Sequence, residues 1–183
     1  YTYFKQKNYD QSTVFFNQFI QKNQSDKVRL NDAYLRLADG YFVSSRYTEA
    51  ITAYEKAMQV GKIENDYAYF QKAMSYGYIG NEGDQTNQLE QFIAKYPTSK
   101  LRDDAMYALG NSYVKAGKDA KAIAIYSQLK KEYSTSPFTS KAQLRQGLVY
   151  YNASQNQQAL STFKSVAKDY PSTPEANQAV ATA

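Results

Sequence analysis

The stretch YPTSKLRDDAMYALGNSY, Tyr96 to Tyr113, decides the fold, because the chain rewrites it. Tyr133 to Tyr150 reads YSTSPFTSKAQLRQGLVY, and a third copy opens at Tyr170 with YPSTPEANQAV. The copies share few identities but hold size and polarity in register. Ala68, Ala105, Ala142 and Ala179 follow one another at intervals of 37 residues, as do Ala73, Gly110 and Gly147, and Leu89, Tyr126 and Phe163. Upstream the interval is 35, with Ala33, Ala38, Tyr41, Ala50 and Tyr54 aligned with Ala68, Ala73, Tyr76, Gln85 and Leu89. A further step of 38 brings Tyr3, Phe4, Tyr9 and Phe16 beneath Tyr41, Phe42, Tyr47 and Tyr54. Periods of this length mark stacked supersecondary units.

Each unit reads as two helices. The first carries small residues and Tyr at helical spacing, as in Ala105, Leu109, Gly110 and Tyr113. A short turn follows at Ser45-Arg46, Gly80-Asn81, Gly117-Lys118 or Ser154-Gln155. The second helix repeats an i, i+1, i+4, i+7 stripe, as in Ala122, Ile123, Tyr126 and Leu129. Small residues sit where two helices approach closely, and aromatic rings fill the gap to the next unit. The quoted stretch is then a stop signal followed by a start signal. Tyr96-Pro97 ends one unit, since a residue before proline is biased away from helix. Ser99, Ser136 and Thr173 share a column in which a hydroxyl can cap the next helix. Pro137 and Pro174 follow at the first helical position, and Asp103 and Asp104 fall in a first turn, where negative charge is favoured.

Composition narrows the function. With 43% hydrophobic and 21% charged residues the 183-residue chain suits a folded protein. No apolar run approaches the roughly 20 residues that cross a bilayer. The absence of Cys removes disulfides and thiolate metal sites, and the absence of His removes the usual neutral-pH base and commonest metal ligand. Asp103-Asp104 cannot share a proton readily, because neighbours on a helix point about 100° apart. The glycine-rich stretch Gly77 to Gly83 lacks the order and preceding strand of a phosphate cradle, and AGKDAKA at Ala116 has Asp119 where a phosphate loop needs Ser or Thr. Lys115, Lys118, Lys121, Lys130 and Lys131 are interspersed with acids and read as solvated surface, so no nucleic-acid partner is expected despite a net charge of +5. The expectation is a non-enzyme with no cofactor and no metal site.

Tyr34, Leu37, Ala38, Tyr41, Ala50, Tyr54 and Ala57 have a spacing that resembles the tetratricopeptide repeat. The closing Tyr-Pro-x-Ser and the long period resemble its bacterial cell-envelope subgroup, which includes the outer-membrane barrel-assembly lipoprotein and the Tol-Pal-associated coordinator. The third unit departs most, with Lys72 in place of Leu37 and Leu109, and Gln85 in place of Ala50 and Ala122. The resemblance implies an all-α, right-handed α-solenoid of antiparallel helix pairs. Its units fall at about 26–62, 63–98, 99–135 and 136–172, with partial ones at 1–25 and 173–183. Both ends read as cut, so a window from a longer array is expected.

The resemblance also places a concave binding face on the first helices. Carried over by column, its lining is Leu35, Asp39 and Phe42; Phe70, Met74 and Tyr78; Tyr107, Asn111 and Val114; and Leu144, Leu148 and Tyr151. Tight stacking would instead bury these as ordinary core. Lys141 and Arg145 match the last two positions of a carboxylate clamp, but Phe70, Met74 and Ala108 occupy the other three, which argues against such a clamp. The expected function is a scaffold binding a peptide or helical segment in a periplasmic or outer-membrane complex, with membrane association through an unseen lipid anchor. Two rivals stand beside it: a module binding a glycan or peptidoglycan fragment, and an accessory domain of a larger enzyme.

Overall fold

A computed structural model of the protein describes residues 9–23 and 25–183. The expected first-helix residues Tyr3 and Phe4 lie outside them. Among the described residues the structure is all-helical: α1 (Tyr9–Lys22), α2 (Lys27–Val43), α3 (Tyr47–Val60), α4 (Asn65–Tyr78), α5 (Glu82–Lys95), α6 (Arg102–Lys115), α7 (Asp119–Glu132), α8 (Pro137–Asn152), α9 (Asn156–Asp169) and α10 (Pro174–Thr182). They fall into two compact units, Tyr1–Ser99 with α1 to α5 and Lys100–Ala183 with α6 to α10.

The turn within each repeat is the same device four times. Ser45, Gly80, Gly117 and Ser154 adopt φ of 59°, 76°, 66° and 57°. The next amide reaches back to a tyrosine carbonyl, Arg46 to Tyr41, Asn81 to Tyr76, Lys118 to Tyr113 and Gln155 to Tyr150, at 2.8 to 2.9 Å. A left-handed residue followed by that back-bond closes off the orphan carbonyls of a helix end.

The linkers between repeats agree with the capping expectation at two of three positions. Ser136 Oγ accepts from the Phe138 amide at 3.1 Å, Thr173 Oγ1 accepts from the Ala176 amide at 3.2 Å, and a proline opens each helix. Ser99 does not cap. Lys100 rather than proline follows it, the chain takes a further turn, and α6 starts only after Leu101, which supplies no side-chain cap. The Ser99 hydroxyl donates to Asp66 at 2.6 Å, and Ser136 donates to Asp103 at the same distance. At these two positions the column pins the linker to the start of the helix one repeat earlier, whereas Thr173 donates locally to the Tyr170 carbonyl. Between α3 and α4 the pin is Asn31, which is fully buried, donates to the Ala57 carbonyl at 2.8 Å and accepts from the Ile63 amide at 2.9 Å.

In the first unit Leu35, Ala38, Ala50, Tyr54, Ala57 and Ala68 are wholly removed from solvent. In the second, Leu144, Ala159, Phe163, Val166 and Ala179 form a continuous cluster. Burying one such ring or leucine contributes roughly 2 kcal/mol. Gly110 lies under the Tyr126 ring, where a Cβ would come within 2.1 Å of Cε1, and Gly147 lies under Phe163 in the same way at 2.4 Å. In these two repeats the small column is glycine beneath the ring, while the α2–α3 repeat holds Ala38 in the same column. The departures in the third repeat are absorbed locally. Lys72 runs buried over the Tyr69 ring to Glu55, and the Gln85 amide occupies the space over Gly77. Elsewhere that pair is reversed, with the large residue on the first helix: Phe42 with Ala50, Val114 with Ala122, Tyr151 with Ala159.

Candidate functional site

Along the first helices of the first unit, exposure rises toward the helix C-terminus. Leu35, Asp39 and Phe70 are buried, Phe42 and Met74 are half-buried, and Tyr78 is 57% exposed. Leu35 and Phe70 thus pack as core. Asp39 is enclosed in a network: it accepts from Tyr54 Oη at 2.8 Å, Tyr67 Oη at 2.9 Å and Arg36 Nη1 at 2.9 Å. Arg36 also pairs with Asp32 and Glu64. Burial raises the Asp39 pKa above the usual carboxylate value against the pull of those donors. Tyr67 is pushed up to about 12 by burial and then by the Asp39 charge, and Tyr54 is raised by the same two causes. Asp39 holds three elements together.

The open end of this row is aromatic. Phe42 near the end of α2, Tyr47 at the start of α3 and Tyr78 at the end of α4 form one cluster. Tyr47 and Tyr78 are stacked at 4.7 Å, and Phe42 meets them edge-on at 5.5 and 5.6 Å. Val43 and Ile79, 53% and 44% exposed, adjoin it in sequence. The rings reach one surface because each of two left-handed turns ends a helix beside the start of the next.

In the second unit Leu144 is buried, Tyr107, Asn111, Val114 and Leu148 are half-buried, and Tyr151 is 55% exposed. Asn111 accepts from Tyr126 Oη at 2.8 Å, taking the part that Asp39 plays for Tyr54 without the charge. Tyr107 stacks on Phe138 at 5.6 Å, and Leu148 packs on the C-terminal core. Burial and the adjacent Asp103 raise the Asp104 pKa. Among the described residues no group of three or more acidic side chains is placed to hold a metal ion, and no helix is long and apolar enough to cross a membrane.

Column reasoning on the first helices missed Tyr47, which begins a second helix. A signal was present: the same column carries Glu82, Asp119 and Asn156, ordinary residues for a helix start, so an aromatic there is the exception.

Residues 104–136 and 141–173 each match the family model described as "Tetratricopeptide repeat". No curated protein matches the chain. Among solved structures it is similar to YrrB, "a TPR protein with an unusual peptide-binding site", at 16% identity and a TM-score of 0.74 over 98% of this chain and 87% of that one. It is similar to MamA at 20% identity and 0.76, over 92% of each chain. A tetratricopeptide repeat protein from Parabacteroides merdae ATCC 43184 matches at 14% and 0.80, over 100% of this chain and 68% of that one. At these identities the likeness is one of fold.

Proposed function

We propose that this tetratricopeptide-repeat chain is a scaffold that docks a polypeptide segment on the aromatic cluster of its first unit. The observation that carries the reading is the Phe42–Tyr47–Tyr78 cluster, three rings in mutual contact with Tyr78 more than half exposed. Rings held by one another give contact area at little conformational cost, and tyrosine tips tolerate water while the surface is empty. The partner segment presents apolar side chains to the rings and carries little charge. The peptide-binding site named for the similar YrrB supports the ligand class. The setting proposed is a bacterial envelope complex, supported by the Tyr-Pro-x-Ser linker of Tyr96 to Ser99 alone. Fractionation of the producing cells tests that setting separately.

Selection of short linear peptides from a display library tests the ligand class. Immobilised protein should enrich sequences with paired aromatic or aliphatic residues, and the Tyr47→Ala/Tyr78→Ala protein should not. The same peptides enriched on both proteins would refute the reading.

A further inference from the structure

The second unit carries a cleft of opposite chemistry, of about 660 Å³, between α7 and α9 with α8 as its floor. None of its lining side chains is aliphatic. The floor comes from Gln143, Gln146 and Tyr150, at i, i+3 and i+7 on α8, and one wall from Gln158, Ser161 and Ser165 at the same spacing on α9. In the preceding repeat the floor columns hold Met106, Leu109 and Tyr113, all buried. Gln143 and Gln146 are buried as deeply, at 5% and 7% exposed. An amide in such a column costs stability unless it is bonded, so its presence where an apolar residue would serve calls for a use.

Part of that bonding capacity is already taken. Gln143 Nε2 donates to Gln146 Oε1 at 2.8 Å and to the Tyr126 carbonyl at 3.4 Å, and Gln146 Nε2 donates to Ser127 Oγ at 2.9 Å. Lys130 closes one end by donating to Ser165 at 2.8 Å and Asp169 at 3.0 Å, which cancels its charge. The rest is open to the cleft. Gln143 Oε1, the Tyr150 hydroxyl, the Gln158 amide and the Ser161 hydroxyl make no hydrogen bond among the described residues. The cleft thus offers unused donors and acceptors in a neutral, three-sided recess with one aromatic ring and no apolar pocket for a side-chain anchor.

We infer that the α7–α8–α9 cleft binds a neutral oligosaccharide. A sugar presents hydroxyls that both donate and accept, with a weakly apolar ring face suited to Tyr150, whereas a docked peptide needs apolar recesses for its anchors. The inference stands apart from the aromatic cluster and does not depend on it.

The test is an NMR titration of the whole chain, observing the glutamine side-chain amides. The probes are tetrasaccharides of glucose, of mannose and of N-acetylglucosamine, and a capped peptide rich in serine and glutamine. At least one tetrasaccharide should shift the Gln143, Gln146 and Gln158 signals saturably. Gln143→Met, which copies Met106, takes the donor from Gln146 Oε1 and the Tyr126 carbonyl and should lower the melting temperature while weakening that binding about tenfold, as loss of a buried hydrogen-bonding group does. Gln158→Ala, at an exposed position, should weaken it with no change in folding. Three silent tetrasaccharides, saturation by the peptide instead, or unchanged affinity in both variants would overturn the inference.

Discussion

Tyr47 and Tyr78 lie face to face, 4.7 Å between centroids and 16° from parallel, joining the first residue of α3 to the last residue of α4. Neither helix could present this surface alone. It arises because Ser45 and Gly80 turn two successive hairpins at equivalent points, and the repeat brings those points to adjacent places. The aromatic surface follows from the repeat's own geometry, with only residue identity added.

Three glycines should rank by what stands over them. Gly110→Ala drives a Cβ into the fully buried Tyr126 ring, which cannot move, and should cost about 1–3 kcal/mol. Gly77→Ala meets the far end of the Gln85 side chain, which can swing away, and should cost less. Gly83→Ala meets nothing and should stabilise by about 0.5 kcal/mol. Urea unfolding of the three variants checks the order; equal effects would mean the ring does not lie over the backbone.

Asp39 makes a signed prediction about pH. Its folded pKa is raised above the ordinary 3.8, so its contribution to stability is complete below that value and is lost as pH rises through the folded pKa. Asp39→Asn keeps an acceptor for Tyr54, as Asn111 serves Tyr126, and Arg36 keeps Asp32 and Glu64. The variant should therefore gain stability relative to the wild type as pH rises above the ordinary carboxylate value of 3.8. Denaturation at a series of rising pH values should show the gap widening in the variant's favour. A gap that narrows or reverses would show that the tyrosine and arginine donors outweigh burial.

Asn31 should act as a local clasp. Asn31→Ala leaves the Ile63 amide without its acceptor and should cost about 1–3 kcal/mol. Hydrogen exchange at Ile63 should quicken more than exchange at Ala68, inside α4. Equal acceleration at both would make Asn31 a general packing residue.

The helix pairs, their turns and the proline starts were legible because backbone chemistry repeats: a left-handed residue and a proline mean the same thing in every copy. Ser99 falls two residues before the N-cap position of its helix because Lys100 follows it, where proline opens the helix in the other two copies. The lining was only partly legible. Leu35 and Phe70 share columns with Tyr107, yet how deeply a column position sits depends on what its neighbours fill, and that differs by copy. Gln143 and Gln146 stood out less than Lys72 because an amide changes polarity without changing charge. Their setting, polar faces of three helices around one recess, is a tertiary property that no single column displays.

The most direct test of the account is the affinity of a library-selected peptide for the wild type and for Tyr78→Ala, measured by calorimetry beside the melting temperature of each. Tyr78 is exposed, so the variant should melt as the wild type does while binding at least about tenfold more weakly. Equal affinity in two equally stable proteins would contradict the assignment of the docking surface to this cluster.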